Sequence, residues 1–177
     1  NRSGWRILPD GDWASIGDWA SIGDGASIGD GASIGDGASI GDWASIGNGA
    51  SIGDWASIGD RASIGDWASI GDRASIGDWA SIGDGASIGN GASIGNRASI
   101  GDRAKFEKSP LAIQGTKHLV CQYAPSMIAV GCEIHSFVDW LKDYPEIGKA
   151  NGYSTAEIVE YGRILRFVVE NGIPAES

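Results

Sequence analysis

The chain is 177 residues long, with 23 acidic side chains against 13 basic ones, 29 glycines, 5 prolines and a formal net charge of -10. No apolar run approaches the roughly 18 residues of a membrane span, no signal-peptide pattern opens the sequence, and two cysteines are too few for a disulfide scaffold. The expectation is a soluble, cytoplasmic protein with no membrane partner, whose acidity disfavours direct nucleic-acid binding and favours basic partners.

Residues 1–10 contain Trp5, Ile7 and Leu8, apolar side chains expected to cap the start of the fold. From Gly11 to Ala104 a six-residue unit, Ala-Ser-Ile-Gly-Asp-x, recurs and places fifteen isoleucines at every sixth position from Ile16 to Ile100. A disordered acidic tract has no such regular apolar residue. Six is an even period, so on extended backbone every isoleucine points to one side, the alanine two residues earlier shares that side, and the serine between them points outward. Glycine and aspartate follow each isoleucine. This pair predicts a sharp bend, because glycine tolerates positive φ and aspartate bonds nearby backbone.

The unit Ile16-Gly17-Asp18-Trp19-Ala20-Ser21 resembles the hexapeptide repeat, or isoleucine patch, of left-handed parallel β-helix proteins, and the resemblance covers residues 11–104. It implies a mainly β fold, a triangular prism with three units per coil and about five coils at the ~4.8 Å strand spacing. Burying fifteen isoleucines at about 2 kcal/mol each contributes about 30 kcal/mol before chain entropy is subtracted. Phe106 stands where the next isoleucine would fall and marks the end of the regular core. A homo-oligomer, with a trimer favoured, is the expected assembly.

At position x the chain uses Trp, Gly and Arg, and the aspartate changes to asparagine at Asn48, Asn90 and Asn96. These are single-base codon changes, so drift after duplication is one reading. The other is a built surface: residues 18 apart stack on successive coils, placing Trp43, Arg61, Trp79 and Arg97 on one ladder and Trp19, Gly37, Trp55, Arg73 and Gly91 on another. Thirteen aspartates, including Asp42, Asp60 and Asp78, line the corners. They read either as solvated turn residues or as a rigid line of charge at about one per 1.8 Å, near the ~1.7 Å of duplex DNA. Metal at these edges ranks last, because aspartate ladders without further ligands make poor cages.

The resemblance also bears on catalysis. Acyltransferases with this coil commonly place a histidine on the prism as general base, and its carbonic anhydrases hold zinc with three histidines. Residues 11–104 contain no histidine, and the whole chain has His118 and His135 alone. No long insertion interrupts the units to cover a substrate, and serine stands where ice-binding ladders carry threonine.

Residues 105–177 form a different object, predicted as a small α+β domain that caps the coil or mediates assembly, with 7 basic and 9 acidic residues. Strands are expected at 117–123 and 127–132 around Ala124-Pro125-Ser126. Ser136 with Asp139 opens a helix that Pro145 should stop near Tyr144, and Ser154 with Glu157 forms a capping box before the stripe Ile158, Tyr161, Ile164, Leu165, Val168 and Val169, which Gly172 ends. His118, Cys121, Cys132 and His135 have zinc-ligand types at short spacing, but residues three apart on a strand point to opposite faces, so no metal and no cofactor is assigned. Met127 to Asn171, including Val130-Gly131-Cys132 and Ile147 to Ser154, resembles uncharacterised bacteriophage and prophage proteins that append a short tail to hexapeptide coils.

The reading that follows is a non-enzymatic, phage-type inhibitory protein, an acidic rod acting as a DNA-like decoy for a basic host partner. Its alternatives are a hexapeptide-repeat acyltransferase using His118 or His135, and a structural, virion-associated module.

Overall fold

The computed structural model describes residues 4–7 and 13–175, and the chain divides after Ser109 into two compact units. The first unit is a parallel β-solenoid of about five turns built on the six-residue unit. Strand β1 (Gly4–Ile7) pairs antiparallel with β2 (Trp13–Ile16); two-residue Ser-Ile strands follow, from β3 (Ser21–Ile22) to β16 (Ser99–Ile100), and β17 (Lys105–Phe106) closes the series. Every third strand pairs in parallel, which makes three sheets. Ile34 lies opposite Ile52, Ile52 opposite Ile70, Ile70 opposite Ile88, and Ile88 opposite Phe106, each a step of 18 residues. For the expected cap, the backbone of β1 is described, whereas Leu8 and the side chains of Trp5 and Ile7 lie outside the described residues.

Period-two alternation sets the interior. Fourteen of the fifteen isoleucines are buried, Ile34 to 2% exposure, together with alanines such as Ala32 and Ala50, while nearly all the serines between them are exposed. Ile22, on a strand that is outermost in its sheet among the described residues, is half-buried. Phe106 fills the terminal isoleucine seat at 1% exposure.

The corners correct the turn assignment. The glycine after each isoleucine is not in the left-handed region; the x residue is, with φ of 59° at Trp43, 57° at Arg73 and 69° at Gly91. From Gly23 to Ala104 each turn of Gly, Asp or Asn, x and Ala closes through the alanine N–H donating to the glycine carbonyl, 3.3 Å for Ala44 to Gly41. Positive φ at the third residue is the signature of a type II turn, where glycine is preferred. Tryptophan and arginine accept a backbone cost of about 1–2 kcal/mol there. The glycine after isoleucine serves close approach instead: a Cβ on Gly53 would stand 2.5 Å from the Asp72 nitrogen and 2.7 Å from the Gly71 carbonyl carbon of the next coil.

The second unit is an antiparallel sheet with two helices. Strands β18 (Ala112–Gln114), β19 (Leu119–Ala124), β20 (Met127–Val130) and β21 (Glu133–Ser136) neighbour one another in chain order, followed by α1 (Phe137–Ala150) and α2 (Thr155–Asn171). The predicted hairpin is the centre of this sheet; the short outer strands carry too few residues to show alternation. Helix α1 runs through Pro145 rather than stopping before it. The ring removes one backbone donor, that for the Leu141 carbonyl. Leu141 is exposed to water, and Trp140, Tyr144 and Ile147 tie the helix to the core on both sides of the break. In α2 the capping box forms as expected: the Glu157 N–H donates to Ser154 Oγ at 3.3 Å and the Ser154 N–H to Glu157 Oε2 at 2.6 Å. Val120, Ile128, Trp140, Tyr161, Leu165 and Val168 make the core.

Two alanine substitutions separate the two glycine roles. Gly53→Ala should lower stability by about 3 kcal/mol or more, because its Cβ meets backbone. Gly91→Ala, with nothing within 4 Å of its Cβ, should lose about 1 kcal/mol. Chemical-denaturation midpoints compare them, and equal losses would contradict the assignment.

Candidate functional site

The coil surface is organised by its corners. Trp43, Arg61, Trp79 and Arg97 are exposed x residues at 18-residue intervals, and the Arg61 guanidinium carbon stands 4.7 Å from the Trp79 ring centroid. A Cβ on Gly25 would be 2.7 Å from Trp43 Cε3, and one on Gly37 2.6 Å from Trp55 Cε3, so these indoles lie back over the glycine one coil earlier. Arg73 follows Trp55 on the same edge, exposed like the others.

The aspartates are part of the framework. The Asp42 N–H donates to Asp60 Oδ1 at 2.9 Å, the Asp60 N–H to Asp78 Oδ1 at 3.0 Å, and the Asp78 N–H to Asn96 Oδ1 at 3.1 Å. Each side chain thus satisfies a backbone donor one coil away. The bond needs one acceptor oxygen and no charge, which is why asparagine replaces aspartate at Asn48, Asn90 and Asn96 and nothing else does. Carboxylates held to serve the backbone in this way are explained without a charged partner.

The second unit contains a pocket of about 110 Å³. Its wall comes from the turn after β20, one face of α1, one face of α2 and the segment before β19. Glycines shape it: Gly131 takes φ +61° in the turn, and at Gly148 a Cβ would meet Ile158 Cγ1 at 2.9 Å. Tyr161 Oη accepts the backbone N–H of His118 at 2.6 Å and of Lys117 at 3.0 Å, and donates to the His118 carbonyl at 3.0 Å. Trp140 Nε1 donates to the Ile128 carbonyl at 2.9 Å.

At the pocket wall, Glu133 joins two partners. Asn151 Nδ2 donates to Glu133 Oε1 at 3.1 Å, and Glu133 Oε2 lies 3.1 Å from His135 Nε2. The Asn151 bond first, and then His135, hold the Glu133 carboxyl below the usual carboxylate range. The His135 ring meets Trp140 edge-on at 5.0 Å. Burial first, and then the neighbouring Tyr161, push the Tyr153 phenol up to about 12.

Of the four zinc-type residues, His118 and Cys132 line the pocket, His135 pairs with Glu133 on β21, and Cys121 is buried on β19. Among the described residues no three His, Cys, Asp or Glu side chains gather as a metal site. Glu133, Asn151 and Tyr153 are the residues that sequence reasoning missed. They converge through the β20–β21 turn and the end of α1, and no local spacing announces that.

Residues 56–90 match the family described as bacterial transferase hexapeptide (six repeats). No curated protein matches the sequence. Among solved structures, the chain is similar to PerB from Caulobacter crescentus, determined in complex with CoA and GDP-perosamine, at 26% identity over 61% of this chain and 53% of that one, with a TM-score of 0.54. It is also similar to the acetyltransferase domain of PglB from Neisseria gonorrhoeae FA1090, at 22% identity over 58% of this chain and 49% of that one, with a TM-score of 0.54. The chain spans about half the length of these structures. The likeness to a CoA-bound protein overturns the expectation of a non-enzymatic decoy for a basic host protein.

The raised Tyr153 pKa has a consequence for stability. A phenol with a folded pKa above its unfolded value of about 10 stabilises fully below pH 10 and ceases to as pH rises through the folded value. Denaturation measured from pH 9 to 12 should show a loss that Tyr153→Phe removes; an unchanged profile would contradict it.

Proposed function

We propose that the chain is an acyltransferase of the hexapeptide-repeat type, using a coenzyme A thioester as donor and the amine of a nucleotide-linked sugar as acceptor. The observation that supports this reading is the coil shared with the Caulobacter crescentus protein bound to CoA and GDP-perosamine. Acyl-coenzyme A is a cytoplasmic metabolite, which keeps the protein in that compartment, and a homotrimer is the assembly we assign.

The coil has residues suited to the donor. Coenzyme A carries phosphates and an adenine, which guanidinium and indole groups recognise. Charge along the coil is uneven: Asp18, Asp24, Asp30 and Asp36 crowd the early turns, whereas residues 86–103 hold Asn90, Asn96, Arg97 and Arg103 against Asp102 alone. Two arginines minus one aspartate leave +1 there. Arg97 and Arg103 are exposed on different corners, and they are the groups assigned to the phosphates.

Transfer needs a base to take the proton from the attacking amine as nitrogen bonds to the thioester carbonyl and the coenzyme A sulfur leaves. No described coil residue is a histidine. The proton therefore passes to a group other than a coil imidazole.

Calorimetry should show acetyl-coenzyme A binding that weakens with salt and falls about tenfold in Arg97→Glu. Absence of donor binding by the full chain would overturn the reading.

A further inference from the structure

We infer that the pocket of the second unit binds a small organic cation of the methylated-ammonium class. Four aromatic side chains, Trp140, Tyr144, Tyr153 and Tyr161, line it together with the Glu133 carboxylate, and neither lysine nor arginine does. At about 110 Å³ the space is far below the ~300–1,000 Å³ of pockets for drug-sized ligands, so it suits a head group.

The polar ends of Tyr161, Trp140 and Tyr144 are committed elsewhere. Tyr161 Oη is engaged with Lys117 and His118 backbone, and Trp140 Nε1 with the Ile128 carbonyl. The Tyr144 hydroxyl accepts from Arg166 Nη2 at 3.1 Å. What these residues offer a ligand is π surface with few free donors. A ligand that needs many hydrogen bonds is poorly served; a quaternary ammonium needs none, and its charge is attracted to ring faces and to a carboxylate.

Two of the rings already hold a cation. Lys117 Nζ stands 4.8 Å from the Tyr153 centroid and the Arg166 guanidinium carbon 5.6 Å from that of Tyr144. Neither cation lines the pocket, so neither neutralises Glu133 within it. Glu133 keeps its charge there because Asn151 and His135 both stabilise the ionised form. An acidic pocket walled by aromatic rings is complementary to a cation. This inference does not rest on acyl transfer and stands or falls without coenzyme A.

The test is a calorimetric or NMR titration of the full chain at pH 8 with choline and with its neutral isostere, 3,3-dimethylbutan-1-ol. Phosphocholine and Nε-trimethyl-lysine are run in parallel, and their order of affinity identifies the carrier of the head group. Choline should bind about tenfold or more tightly than the isostere, since a desolvated cation–π contact is worth that ratio. Glu133→Gln and Tyr153→Leu should each weaken choline about fivefold or more and leave the isostere nearly unaffected. Equal affinity for choline and isostere would overturn the inference, showing an apolar cavity without charge selection. So would no binding of any of the cations. Both outcomes are read on the unsubstituted protein and do not depend on whether a variant folds.

Discussion

The first unit depends on one constraint: backbone must approach backbone at every corner of every coil. The glycine after isoleucine leaves room for the next turn, and the aspartate or asparagine of that turn reaches back to a backbone N–H, as Asp54 Oδ1 does to Asp36 at 2.9 Å. With corners fixed, Ser-Ile strands of two residues suffice, because register is set outside them. Isoleucine then meets isoleucine on each coil, as Ile34 meets Ile52. Parallel strands this short are weak alone, and cooperation between neighbouring coils supplies the rest.

The same constraint frees position x. Its backbone is used, since the Trp43 N–H donates to the Asp24 carbonyl at 2.9 Å, while its side chain points away from the interior. The coil therefore tolerates glycine, tryptophan or arginine there at a modest backbone cost, and this position can acquire binding chemistry without disturbing the core. Six exposed tryptophans, from Trp13 to Trp79, show how much apolar surface the scaffold supports. Framework and binding surface are thus separated within one six-residue unit.

The period made the fold legible. Fifteen isoleucines at an even spacing allow one inward face, and Phe106 in the final seat follows from the same count. The roles of the corner residues were less visible, since a glycine needed for contact and one needed for positive φ look alike in sequence. In the second unit the Ser154–Glu157 box and the stripe from Ile158 to Val168 were readable from spacing. The start of α1 was readable from Ser136 and Asp139, but its end was not, because packing by Tyr144 and Ile147 outweighs the bond that Pro145 removes. The grouping of Glu133, His135, Asn151 and Tyr153 is a tertiary product, and charge arithmetic drew attention to the coil aspartates instead.

Amide hydrogen exchange across the coil tests the account most directly. From Ser33 to Gly89, the N–H of each serine and of each glycine that follows an isoleucine donates to the following coil, at 2.8 Å for Ser33 to Ala50 and 2.7 Å for Gly89 to Phe106. The corner Asp36 N–H donates to Asp54. Slow exchange at these amides, with a repeat of six residues, is the predicted result. Rapid exchange through the middle coils would contradict the stacked-corner architecture on which both the core and the exposed surface rest.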